Sequence, residues 1–293
     1  MPELPEVETI RRDLDSALKG AVIKDVVVDK PGLVRESGVR GEIGGILVGS
    51  VFKEVRRRAK LLTFVLEKGG QELYLVAHLK MTGRFLLRRV GAPKDQYQHV
   101  TFTIVRPPIK GGPTQIFELR FCDLRQFGYL QIVSKEELGK ILAAYGPEPL
   151  DDLTLAEFKK RLQRKIPIKV LLLDQKVFSG IGNIYANEAL FEACVHPQKE
   201  AALLSETEAK KLFESISGVL RSGLKNRGTT TRDESFRDIY NEPGDNAKNL
   251  KVYEKQGLDC PRGRGGKIKK IMIGGRGSYF CPDCQLEYPR NKT

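Results

Sequence analysis

No apolar run in the sequence approaches the ~18 residues that a membrane-spanning helix needs. Behind Met1-Pro2-Glu3 there is no basic head or apolar stretch of a secretory signal, so a cytoplasmic chain is expected. Cysteine is scarce and odd in number, five in 293 residues, which suits reduced thiols or metal ligands rather than a disulfide framework. Acidic residues are in deficit, 37 against 50 Lys and Arg, for a net charge of +13. Such an excess favours a polyanionic partner, nucleic acid or an anionic membrane surface. There is no internal repeat and no low-complexity tract, and 40% hydrophobic content argues against wholesale disorder. A chain of this length suggests about two domains, large enough to fold without staples. Extracellular scaffolds and membrane proteins are excluded.

The chain changes character near residue 135. Before it, short β-rich runs at 22–28, 61–66, 73–79, 100–105 and 116–121 are separated by Gly/Pro breaks, which predicts a sandwich or barrel. One opening helix precedes them, with Val7, Ile10, Leu14 and Leu18 on one face and Gly20 as its stop. From Ser134 to Leu224 the period becomes helical, and Ser134 with Glu137 and Thr154 with Glu157 fit capping boxes. The polar stretch 226–249 reads as a long mobile loop. The last 43 residues carry ten Lys/Arg against four Asp/Glu.

Chemistry begins at the N-terminus. Removal of Met1 would expose the secondary amine of Pro2, which can attack a sugar C1′ and form an iminium, the electron sink that Schiff-base lysines make. An α-amino group titrates near neutrality, so a useful fraction is free base. Glu3 beside it can shuttle protons. Alone, Pro2 reads as no more than a stable N-terminal residue.

The longer string Met1-Pro2-Glu3-Leu4-Pro5-Glu6-Val7-Glu8-Thr9 resembles the opening of formamidopyrimidine-DNA glycosylase, a bacterial repair enzyme for oxidised purines. Matching segments follow in order: Arg58-Ala59-Lys60-Leu61-Leu62, His78-Leu79-Lys80-Met81-Thr82-Gly83-Arg84 and Asp123-Leu124-Arg125-Gln126-Phe127-Gly128. The segment from Leu173-Asp174-Gln175 to Gly180-Ile181-Gly182-Asn183-Ile184-Tyr185-Ala186-Asn187-Glu188 is similar to the family's helix–two-turn–helix.

The resemblance implies an α+β fold: an N-terminal antiparallel β-sandwich with its opening helix (1–133), a helical domain with the helix–two-turn–helix and a lesion-side loop (134–250), and a zinc-finger-type hairpin (251–293). It implies DNA bound in the cleft between domains. Pro2 would be the nucleophile and Glu3 its assistant, with Lys60 and Arg276 serving β,δ-elimination. A glycosylase must flip its target base, and the hole must be filled. Met81 and Phe127, core residues by type alone, are thereby reassigned as wedges between base steps, with Arg125 facing the orphaned base. His78, His99, Arg164 and Lys169 are implied DNA contacts. Gly182 and Asn183 open a helix whose N-terminus suits a phosphate. Gln126 and Leu124 depart from the family's Arg and Pro, which puts a local phosphate contact in doubt.

The implied zinc site is defective. Cys281-Pro282-Asp283-Cys284 is an intact knuckle, but in Cys260-Pro261-Arg262-Gly263 a glycine stands at the second cysteine, and the interval to Cys281 is one residue longer. A structural zinc normally takes four protein ligands, so Cys260, Cys281 and Cys284 leave a gap. Asp259, Asp283 or water could fill it; alternatively, Ile268, Ile271, Ile273, Tyr279 and Phe280 fold the hairpin without metal. Cys122 and Cys194 are expected to be buried and inert.

The expected function is excision of oxidised purines from damaged double-stranded DNA by a monomer at the nucleoid. An endonuclease VIII-like enzyme for oxidised pyrimidines is the alternative within the class. A non-catalytic nucleic-acid-binding protein is the alternative outside it, and it would need none of Pro2, Glu3 and Lys60.

Overall fold

The computed structural model describes residues 1–35, 42–108, 113–232 and 236–286. Helix α1 (Leu4–Leu18) starts at a capping box in which Glu6 Oε2 accepts the Glu3 N–H at 2.8 Å. Its apolar face, Val7, Ile10, Leu14 and Leu18, is buried, and Gly20 at φ +78° lets the chain turn away.

Eight strands follow, with a short helix α2 (Ile43–Leu47) between the first two: β1 (Val22–Val28), β2 (Val51–Arg58), β3 (Leu61–Lys68), β4 (Gln71–His78), β5 (Gly83–Arg89), β6 (Gln98–Arg106), β7 (Gln115–Asp123) and β8 (Tyr129–Val133). Every pairing is antiparallel, in the order β5-β7-β6-β1-β2-β3-β4-β8. β3 and β5 are remote in that order, yet Phe64 and Phe85 meet edge-to-face at 5.4 Å, and Phe85 touches Phe121 at 5.2 Å. The sheet is therefore bent into two facing layers around an aromatic core, the expected sandwich. β2, β5 and β8 are additional to the strands read from the sequence. Lys53, Arg56, Arg57 and Arg58 in β2, and Arg84, Arg88 and Arg89 in β5, hide the alternation there.

The remaining elements are α3 (Lys135–Ala143), α4 (Leu155–Arg161), α5 (Ile168–Leu173), α6 (Asn183–Glu192), α7 (Glu206–Lys225) and a hairpin, β9 (Lys269–Ile273) with β10 (Arg276–Phe280). The Ser134–Glu137 capping box forms in full, whereas Thr154 caps α4 through the Glu157 N–H. No described helix is long and apolar enough to cross a membrane.

The described residues divide into two compact units, 1–144 with 226–245, and 145–225 with 246–286. This differs from the expected three-part division in two places. Segment 226–245 belongs with the sandwich and is tied down rather than loose. Glu6 Oε1 accepts the Thr229 N–H at 2.7 Å, Arg227 pairs with Asp13 and Asp238, and Phe236 and Ile239 enter the sandwich core. Residues 233–235 of that segment lie outside the described ones. The hairpin, for its part, belongs with the helical unit, to which buried side chains staple it.

Candidate active site and nucleic-acid surface

In the sandwich unit, the loops at one sheet end carry the candidate residues, as the register shows: Arg58 pairs with Leu61, Leu61 with His78, His78 with Tyr129, and Gly83 with Asp123. The N-terminus is brought to the same end by α1. Arg57 at the close of β2 donates to Glu8 at 3.0 Å and to the Ala59 carbonyl at 3.0 Å, and Leu4 lies one helical turn, about 6 Å, beyond Glu8. Burial raises the Glu8 carboxyl, but hydrogen bonds from Arg11, Arg12 and Arg57 outweigh it and hold the group below the usual carboxylate range. Pro2 and Glu3 are buried, Met1 is half-buried, and Lys60 is only 7% exposed. While Met1 is present, the Pro2 nitrogen is an amide and no nucleophile.

His78 Nδ1 accepts the Lys80 N–H at 3.0 Å. Burial, then the charges of Lys80, Lys60 and Arg35, push its pKa down to about 3, so the ring is neutral at pH 7. The unfolded state binds the extra proton below the ordinary value of 6.5, so stability falls as pH drops from there towards about 3. His78→Asn keeps an acceptor for Lys80 but cannot titrate. Melting temperatures measured across pH 7 to 4 should therefore fall less steeply for His78→Asn than for the wild type; parallel curves would refute the coupling.

Two turns at this end hold Met81 and the Arg125–Phe127 pair. Asp123, 1% exposed, organises both: its Oδ1 accepts the Thr82 hydroxyl and the Arg125 N–H (3.2 Å), and its Oδ2 accepts the Gly128 N–H at 2.7 Å. Lys80 and Gln126 take left-handed backbone at φ +52° and +55°, as does Ala59 at +53° before Lys60. Strain of this kind at three candidate loops marks sites held by their surroundings. Phe127 is 55% exposed with the Arg125 guanidinium 4.9 Å from its ring, and Met81 is half-buried. The His99 ring is buried, and its Nε2 donates to the Asp123 carbonyl at 2.9 Å, which ties it to the strand end leading into the Arg125 turn.

In the helical unit, Gly182 and Asn183 open α6, and Asn183 Nδ2 donates to the Gly277 carbonyl at 3.2 Å, which sets the helix N-terminus beside the Arg276 turn. Arg276 and Arg164 are exposed. Lys169 is fully buried, donating to the Gly277 carbonyl (2.7 Å) and Ser278 Oγ (2.6 Å), so it holds the hairpin, a difference from the exposed Arg164.

Sequence reasoning also passed over Asp123, Thr82, Glu6, Asn187 and Glu188, although each stands inside a matched segment. Asn187 accepts the Tyr279 N–H at 2.8 Å. Buried Glu188 accepts three successive N–H groups, from Lys251, Val252 and Tyr253. Burial raises its carboxyl more than those bonds lower it. Polar or acidic residues inside otherwise apolar segments were the available signal.

Cys260, Cys281 and Cys284 converge, buried, with sulfurs within 4.8 Å of one another, and could hold a metal. The two expected carboxylate substitutes do not join them. Asp259 is 85% exposed and bonded to Lys267, and Asp283 lies outside the sulfur cluster among the described residues. Gly263, at φ +67°, is open: a Cβ placed on it would meet nothing within 4 Å. Cys122 is inert as expected, burial above all pushing its thiol up to about 12. Cys194 is instead exposed, with the Arg262 guanidinium against its sulfur.

The family model for the formamidopyrimidine-DNA glycosylase N-terminal domain matches residues 1–130, and that for the H2TH domain of the same enzymes matches 145–235. A formamidopyrimidine-DNA glycosylase of Desulforamulus reducens is 41% identical over 97% of this chain and 99% of its own, and one of Bacillus cereus 36% identical over the same shares. Among solved structures, the Lactococcus lactis Fpg in complex with abasic-site DNA superposes with TM-score 0.84 at 31% identity, covering 97% of this chain and all of that one. A variant of the same enzyme with Fapy-dG DNA gives 0.85 at 32%, covering 98% of this chain. The sandwich, the helix–two-turn–helix and the order of their motifs agree with these likenesses, and the chain belongs to the formamidopyrimidine-DNA glycosylase family.

Proposed function

We propose that this protein excises oxidised purines, 8-oxoguanine and formamidopyrimidines, from double-stranded DNA at the nucleoid and then cleaves the abasic strand. The observation that carries the reading is the capped N-terminus: Glu3 and Glu6 fix Pro2 at the sheet end that also bears Lys60, Met81, Arg125 and Phe127. After Met1 is removed, the Pro2 nitrogen attacks C1′, the C1′–N bond of the base breaks, and the base leaves with its electron pair and a proton. The C1′–O4′ bond then breaks, its electron pair and a proton going to O4′, and the opened sugar is left as an iminium that draws electrons as the 2′ proton is lost and the phosphates are eliminated, with Glu3, Lys60 and Arg276 moving protons or holding the phosphate. Zinc bound by Cys260, Cys281 and Cys284, with an exchangeable fourth ligand, would brace the hairpin that bears Arg276.

Borohydride trapping on an 8-oxoguanine duplex tests the class. A covalent adduct at the processed N-terminus is expected, and its absence would leave a binding protein. Affinity should fall steeply with salt, since roughly 0.9 counterions leave per phosphate contact. Arg164→Ala should weaken all duplexes alike, whereas Arg125→Ala should chiefly lower discrimination of the base opposite the lesion. A flat salt profile would contradict the phosphate contacts.

A further inference from the structure

We propose that Asp123 and Thr82 form a positioning couple that locks the Met81 turn to the Arg125–Phe127 turn, so that the groups set to enter the base stack move as one rigid piece. The couple rests on the wedge reading of Met81 and Phe127 and adds the device that makes those wedges work.

Three observations carry it. First, the buried Asp123 carboxylate is satisfied by shape-setting donors rather than by a cation: Thr82 Oγ, the Arg125 N–H and the Gly128 N–H. A carboxylate desolvated this far is retained only where its acceptors are filled. Second, Thr82 Oγ is used in both directions. It donates to Asp123 Oδ1 and accepts the Arg125 N–H at 3.0 Å, so one hydroxyl joins the two turns. Third, the turns are close to each other and each is tight: a Cβ on Gly128 would stand 3.1 Å from the His78 carbonyl across the junction and 3.0 Å from Asp123 Oδ2 within its own turn, and one on Gly83 would strike the Leu79 carbonyl at 2.5 Å within the Met81 turn.

The left-handed Lys80 and Gln126, which flank Met81 and Phe127, need such over-determined surroundings to persist. Unstacking a base step costs free energy, and a wedge already ordered in the free protein loses no further conformational entropy when it enters. Thr82 and Asp123 touch no DNA in this account; they act through Met81, Arg125 and Phe127.

The test uses the full-length, N-terminally processed protein and a duplex with 8-oxoguanine opposite cytosine and 2-aminopurine beside it, whose fluorescence rises on unstacking. Thr82→Val removes the hydroxyl at constant volume. It should slow the fluorescence rise and single-turnover excision about tenfold, and Thr82→Ser should restore both. Borohydride trapping on an abasic site in single-stranded DNA, which has no stack to open, should stay within about twofold for Thr82→Val. Met81→Ala and Phe127→Ala report on the wedge reading itself: if neither slows the rise, that reading falls and the couple with it. If they slow it while Thr82→Val matches the wild type, the wedge stands and the couple is overturned. Equal loss on the single strand would also overturn it, by showing a general effect on fold or chemistry.

Discussion

Pro2→Gly should lower borohydride trapping and abasic-strand cleavage by about a hundredfold or more, because the reacting nitrogen loses its fixed placement. Glycine, like proline, permits Met1 removal, so the comparison holds processing constant. What changes is the amine. A proline nitrogen is secondary, gives a permanently charged iminium on condensation, and is held by a ring at the mouth of a capped helix where Glu6 grips the next N–H. A glycine amine is primary and its backbone is free at both torsions. Affinity for a duplex bearing a non-cleavable abasic analogue should change little, as phosphate neutralisation dominates binding and an uncharged proline ring contributes little to it. A second arm retains Met1, confirmed by mass. That form keeps an amide at Pro2 and should trap nothing while still binding. Comparable losses of binding and cleavage in the Pro2→Gly protein would remove the nucleophile assignment.

Much of this site is legible in the sequence because its chemistry resides in short contiguous strings. The opening segment, the Lys60, Met81 and Arg125 segments and the Gly180–Asn183 turn all lie where backbone strain or a helix start demands particular residues. Less legible is what becomes of a cation after folding. Lys169 and Arg164 look alike in a basic stretch, yet Lys169 is swallowed by the hairpin while Arg164 stays exposed, because only Lys169 faces the Gly277 carbonyl and Ser278. His99 is a similar case, since its partner is a backbone oxygen that no sequence pattern marks. The return of 226–245 to the sandwich depends on Glu6 and Asp13 more than two hundred residues earlier, a pairing beyond local periodicity. Strands β2 and β5 are hidden for another reason: their arginines, some of them held in ion pairs such as Arg57 with Glu8 and Arg88 with Asp95, erase the apolar alternation.

The defective knuckle makes the last prediction a matter of competing magnitudes. Both hairpin turns close alike, with the Gly263 N–H on the Cys260 carbonyl at 3.0 Å and the Cys284 N–H on that of Cys281 at 3.3 Å, so the first knuckle has kept its backbone and lost its thiol. Gly263→Cys meets no atom within 4 Å, but its φ of +67° lies in the left-handed region, a strain of about 1–2 kcal/mol. A fourth thiolate on zinc is worth more than that, since structural sites bind with roughly 10–16 kcal/mol from four ligands. Gly263→Cys should therefore raise zinc affinity at least tenfold, roughly 1.4 kcal/mol or more, and lift the melting temperature in zinc-loaded protein. The wild type should surrender its metal to a chelator more readily, yet keep much of its hairpin order. Asn187, Lys169 and Gln285, which accepts the Cys281 N–H at 3.0 Å and donates to the Val195 carbonyl at 2.8 Å, staple it without metal. Metal content by elemental analysis and melting with and without chelator decide between them. Should Gly263→Cys leave both unchanged, the three cysteines are not a ligand set and the hairpin stands on its side-chain staples alone.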